Sequence, residues 1–217
     1  RHRTNPFVAP QYTFQAAADI VDNLAQDYGK WQNAECRQMK DELVNLDING
    51  DGRVPLSLFY AQPETADYQF TESKEYLRTI GALDETVSES PSVRIANYML
   101  GPSNCIASSS YYSVCCLSEC EAIMHELESK VQAPTAPALR LLGVVANLTS
   151  TSYAPEAPRL LPVDLTDKMH AIAERHGGEV PLHGRLFAQW LHHAYPRECP
   201  YPHLSGRTRP LQAEDWI

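Results

Sequence analysis

One hexapeptide limits what this chain can become more than any other feature: Asp47-Ile48-Asn49-Gly50-Asp51-Gly52. Oxygen-bearing side chains at alternate positions, with glycines between them, stop a helix and turn the chain sharply. The run follows a segment in which Cys36, Met39, Leu43 and Leu46 recur at helical spacing. A helix therefore feeds directly into a tight, oxygen-rich loop. Alternate oxygens converging on one point suit a hard cation such as calcium. Asp47, Asn49 and Asp51 are the candidate ligands, with Arg53 offering its backbone carbonyl and Ser57 its hydroxyl.

From Asp47 to Leu58, and over the helix that enters it, the chain resembles the EF-hand family, with Gly52 at the sixth loop position and Val54 at the apolar eighth. The resemblance implies a helix-loop-helix that binds calcium and pairs with a second one through a short two-stranded contact between eighth positions. Two departures weaken the expected site: Pro55 is at the ninth position, and Leu58 is at the twelfth, where the family places a bidentate Glu. The affinity expected of such a loop is nearer roughly 10⁻⁴ M than the roughly 10⁻⁶ M of a sensor. An echo of the motif appears later. Gly52-Arg53-Val54-Pro55-Leu56 recurs as Gly178-Glu179-Val180-Pro181-Leu182, and Leu58-Phe59 as Leu186-Phe187. Aligned backwards, Met169 and Ile172 keep the apolar face of an entering helix, while Ala173, Arg175 and Gly177 stand at the ligand positions. Val180 is thus the expected partner of Val54. Dockerin modules also use Asp-x-Asn-x-Asp-Gly loops, but theirs lie close together and these copies lie far apart. Residues 98–121 and 183–203 further resemble an uncharacterised family of EF-hand-related proteins from unicellular algae, which implies no activity.

The fold expected is all-α: a single mostly helical domain over 1–217, with an EF-hand-like unit at 33–62, a helical insertion at 63–165, a degenerate unit at 166–195 and an extended C-terminal strap at 196–217. Phe14, Ala17, Val21, Leu24 and Tyr28 predict a first helix, opened by Thr13 and stopped by Gly29. Further helices are expected over Glu72–Ile80, Tyr112–Val131 and Ala138–Leu148, whereas Ser92–Leu100 reads either way. Pro196, Pro200, Pro202 and Pro210 give the strap its extended character.

Six cysteines, Cys36, Cys105, Cys115, Cys116, Cys120 and Cys199, match no zinc or haem spacing and read as structural disulfides. Adjacent Cys115 and Cys116 are expected to take different partners, stapling the 115–120 segment to the loops around Cys105, Cys36 and Cys199. An oxidising setting follows, extracellular, at the cell surface or in an organelle lumen. Asn147-Leu148-Thr149 is a legal N-glycosylation acceptor, and the absence of an initiator Met suggests a removed targeting segment or a longer precursor. A net charge of −9 disfavours nucleic acid and anionic membranes as partners, and no apolar run reaches the roughly 20 residues of a spanning helix. The histidines at 170, 176, 183, 192, 193 and 203 form no His-Glu-x-x-His motif.

The expectation is therefore a non-enzymatic structural or interaction domain that contacts other protein subunits and holds one weak calcium ion. A calcium-sensing regulator and a Cys/His-dependent enzyme are the alternatives. Neither Cys-x-x-Cys nor Gly-x-Ser-x-Gly is present to favour catalysis.

Overall fold

The computed structural model describes residues 13–105, 107–108, 113–148 and 160–203. Helix α1, Phe14–Leu46, runs 33 residues without a break, about 50 Å. Thr13 Oγ1 caps it by accepting from the Ala16 amide at 3.1 Å. The expected stop at Gly29 does not occur. A glycine inside a helix costs only about 1 kcal/mol relative to alanine, and Gln32, Cys36, Lys40, Leu43 and Asp47 form one buried stripe that carries the helix onward.

After the loop come β1 (Arg53–Pro55) and α2 (Leu56–Tyr60), then α3 (Lys74–Thr79), β2 (Leu83–Asp84), β3 (Ser92–Arg94) and α4 (Ile95–Met99). Ser73 caps α3, its Oγ accepting from the Tyr76 amide at 3.1 Å. A short 3₁₀ turn, Pro102–Asn104, leads to the hairpin of β4 (Ala107–Ser108) and β5 (Ser113–Val114). The chain then runs through α5 (Glu119–Val131), β6 (Thr135–Pro137), α6 (Ala138–Ala146), α7 (Val163–Arg175), β7 (Glu179–Pro181) and α8 (Arg185–Ala194). The helix expected from Tyr112 thus begins only at Glu119, because residues 113–114 are strand and 115–118 have no regular secondary structure. Residue 112 itself, the Thr149–Ser152 stretch and the strap beyond 203 lie outside the described residues.

The all-α expectation is overturned: three small antiparallel sheets, ordered β1-β3-β2, β4-β5 and β6-β7, make this a mixed α/β fold. Strand pairing also corrects the expected partnership of Val54 with Val180. Val54 lies opposite Val93, and Val180 lies opposite Ala136. Each of these central residues is no more than 1% exposed. Segment 63–165 is therefore not one insertion, since it supplies a helix-strand-helix unit to each of two pairs. Four such units alternate along the chain, and in the first three the residue after the strand's central position, Pro55, Arg94 or Pro137, is the N-cap of the next helix. The first pair is closed reciprocally, Leu56 N donating to Pro91 O at 2.9 Å and Ile95 N to Gly52 O at 3.0 Å.

Two hydrophobic cores follow from this pairing. The N-terminal lobe packs Leu43, Val54, Phe59, Leu77, Val93, Ile95 and Tyr98. The C-terminal lobe packs Leu127, Leu141, Met169, Val180, Phe187 and Trp190. Cys36–Cys116, Cys105–Cys115 and Cys120–Cys199 are bonded, so the adjacent cysteines do take different partners. Among the described residues no helix is long and apolar enough to cross a membrane.

The pairing is open to a double-mutant test. Val54→Ala and Val93→Ala should each lower stability by about 1–3 kcal/mol. In urea melts the two should couple by about 0.5 kcal/mol or more, whereas Val54→Ala and Val180→Ala should be additive. The reverse pattern of coupling would refute this strand order.

Candidate functional site

The buried stripe of α1 ends on Asp47, the helix C-cap, whose side chain is fully out of solvent. A carboxylate there must be compensated, and the loop folds back over it to do so. Asp47 Oδ1 accepts from Asp51 N at 3.1 Å, and Oδ2 accepts from Gly52 N at 2.9 Å. Gly50 and Gly52, at φ +69° and +76°, provide the left-handed turns that aim these amides inward.

The remaining negative charge is met by an arginine 150 positions away: Arg197 Nε donates to Asp47 Oδ2 at 2.9 Å. Arg197 arrives on a strap, residues 196–203, that leaves α8 through a turn at 196–198, where Cys199 N donates to Tyr195 O at 2.8 Å, rather than running extended from Pro196 as expected. The strap lies against the N-terminal lobe. Gly52 makes that contact sterically possible, because a Cβ there would fall 2.3 Å from the Pro196 carbonyl oxygen. Downstream, Asn97 grips the strap backbone from both sides, its Oδ1 accepting from Tyr201 N at 2.8 Å and its Nδ2 donating to Tyr201 O at 3.0 Å. The Arg94 guanidinium stacks 4.8 Å from the Tyr201 ring centre, and Cys199 is tied to Cys120 at the start of α5.

The five expected cation ligands differ in exposure. Asp47 is buried, Asn49, Asp51 and Ser57 are exposed at the surface, and the Arg53 side chain turns towards Asp84 at 3.3 Å. Leu58 at the twelfth loop position packs against the N-terminal core. Asp47 Oδ2 already faces a cation, the Arg197 guanidinium, and the loop offers a calcium ion no twelfth-position carboxylate. This donor set does not fit calcium while Arg197 is in place. Among the described residues no group of three His, Cys, Asp or Glu side chains is arranged to hold a metal.

Behind the loop, Asp84 is the second buried carboxylate, with Arg94 Nη2 at 2.9 Å. Burial alone would raise its carboxyl, but hydrogen bonds from the Thr86 amide and hydroxyl, with Arg94 and Arg53, hold it below its ordinary value. Lys40 reaches Glu119 at 2.7 Å across a cavity of about 240 Å³ that opens between α1, α4, the start of α5 and the strap. Glu198 lines the same cavity, its carboxyl raised by burial. Of the C-terminal histidines, His192, His193 and His203 gather round the Tyr201 ring, with ring centres 5.4, 6.3 and 6.2 Å from it, and the ring nitrogens of His192 and His203 are engaged separately. His192 is buried with Nδ1 2.7 Å from Cys199 O, His203 Nε2 lies 3.0 Å from Asn97 Nδ2, and His176 Nδ1 lies 2.9 Å from Ile172 O. Asn147 is exposed at the end of α6, its amide nitrogen donating to Gly143 O at 2.8 Å.

Sequence reasoning missed Arg197, Asp84, Arg94, Val93 and Ala136. Of the last two, Ala136 shares its apolar-proline pair with Val54-Pro55 and Val180-Pro181, whereas Val93 is followed by Arg94 and shares only the apolar centre.

Removing the guanidinium leaves a buried carboxylate with two amides only. Arg197→Ala should lower stability by about 2–3 kcal/mol in urea melts, and an unchanged midpoint would show that the pair contributes nothing. Burial also pushes the His192 imidazole down to about 4. Its unfolded state takes up a proton below about pH 6.5 while the native state does not, so stability should fall as pH drops from about 6.5 to 4, by roughly 3 kcal/mol at the limit. His193 and His203, also lowered by burial, act in the same sense, and Glu198 acts in the opposite one. Melts of His192→Gln, compared with the parent across that range, isolate the His192 contribution. No family model, curated protein or solved structure matches this chain, so its arrangement is read from its own geometry.

Proposed function

We propose that this chain is a non-enzymatic interaction scaffold of an oxidising compartment, extracellular, cell-surface or luminal, built from two EF-hand-like pairs. In the first pair Arg197 stands where a calcium ion would stand. The observation that carries this reading is the 2.9 Å contact from Arg197 Nε to the fully buried Asp47 carboxylate. A cation supplied by the chain itself holds the loop closed without reference to calcium concentration, which suits a constitutive scaffold and not a sensor. The all-disulfide cysteine set supports the non-enzymatic half, because the described structure leaves no thiolate for a Cys/His reaction. The exposed Asn147 amide is compatible with glycan attachment in the same compartment.

Calorimetric titration of calcium into the non-reduced, chelator-stripped protein tests the reading. The parent should give no binding heat and no thermal shift below about 1 mM calcium. Arg197→Ala should regain weak binding, in turn abolished by adding Asp47→Ala and Asp51→Ala. Submillimolar binding by the parent, lost on the Asp47 and Asp51 substitutions alone, would sink the proposal in favour of a calcium-loaded module.

A further inference from the structure

The N-terminal half of α1 belongs to neither lobe. Burial along the helix begins at Gln32; before it, Phe14 is 90% exposed, Val21 63%, Leu24 53% and Trp31 53%. These residues are not scattered over the surface. Phe14, Ala17, Val21, Leu24, position 28 and Trp31 follow a spacing of three, four, three, four and three. That is a 3.5-residue repeat, the spacing of a coiled-coil seam rather than of a helix lying on a globular core. The flanking positions reinforce the seam, since Ala18 and Ile20 widen it with small and apolar side chains, while Asp19 falls on the opposite face.

We propose that this seam pairs antiparallel with the same helix of a second copy. The order of side chain sizes favours the antiparallel arrangement. It sets Phe14 against Trp31 of the second copy and Val21 against Leu24 of the second copy. A parallel pair would instead stack Ala17 on Ala17 between two large layers and leave a void. It would also bring two lobed bodies to the same end of an approximately 27 Å seam, whereas the antiparallel pair sends them to opposite ends. Covering the exposed apolar side chains of both helices removes on the order of 1,000 Å² from water, the lower bound for a specific interface, so association in the micromolar range is expected. This deepens the interaction role proposed above by naming the partner, and the two fail separately, because calcium titration reports on the lobes and oligomeric state on the helix.

Sedimentation equilibrium of the non-reduced chain from about 1 to 200 μM tests the pairing. A reversible monomer–dimer equilibrium is expected. Val21→Glu with Leu24→Glu should weaken it at least about thirtyfold while leaving the thermal transition of the lobes in place, because both side chains lie outside the two cores. Orientation is read by oxidative cross-linking. A mixture of Phe14→Cys and Trp31→Cys chains should cross-link, and neither variant should do so alone. A parent that stays monomeric throughout, or a dimer indifferent to the double substitution, would overturn the pairing; cross-linking of either variant with itself would overturn the antiparallel arrangement.

Discussion

The strap from Pro196 to His203 is the constraint on which the relation of the two lobes depends. It is anchored covalently at Cys199, electrostatically at Arg197, by backbone hydrogen bonds at Tyr201 and sterically at Gly52 and Gly81. A Cβ at Gly81 would fall 2.1 Å from His203 Nε2, so both glycines serve a turn and a close approach at once. These contacts reinforce one another. The Asp47 carboxylate is tolerable in the interior because Arg197 reaches it, and Arg197 reaches it because Cys199, two residues on, is fixed to α5. Separating the lobes would return a buried charge to solvent and strip the strap from the first loop together, which argues for one cooperative unit rather than two loosely tethered ones.

Within each lobe the repeated device is a three-residue strand whose centre is buried and whose next residues begin a helix. Such strands are far too short to be stable alone. They persist because the helices on either side bury the paired centres, Val54 with Val93 and Ala136 with Val180. Proline after the centre suits this place, since its φ is preset and the chain there is leaving the ladder for a helix. The mixed α/β character is thus a consequence of helix pairing, not of a sheet-forming sequence.

What was legible in the sequence were the features that act over a few residues. Asp47 to Gly52 announces its turn, Val54 its burial, and the echo at Val180 its kinship with Val54. Adjacent Cys115 and Cys116 require separate partners. Ser92-Val93-Arg94 shares with those copies only an apolar centre, and Thr135-Ala136-Pro137 only an apolar residue before proline, too little to separate from background without the fold. Gly29 misled because a glycine ends a helix only where tertiary contacts do not extend it, and the buried stripe beginning at Gln32 extends this one. Arg197 was invisible for a different reason: an ion pair between residues 150 apart leaves no periodicity, and only the path of the strap brings it to Asp47.

The internal guanidinium also decides whether weak loop chemistry has a consequence. A loop with the ligands present here would hold calcium at roughly 10⁻⁴ M if it were free to do so. Arg197 must first be displaced, and a pair contributing about 2–3 kcal/mol leaves the competent state only about 0.6–3% populated. The apparent dissociation constant then rises by the inverse of that fraction, to several millimolar or above, beyond the roughly 10⁻⁴–10⁻³ M at which extracellular calcium modules operate. The missing twelfth-position carboxylate and the acquired arginine therefore act in the same direction. On the function proposed above, either alone would leave a weak site and together they make the loop a fixed joint, in which Asp47 keeps its bonds to the Asp51 and Gly52 amides while the charge it faces is part of the chain.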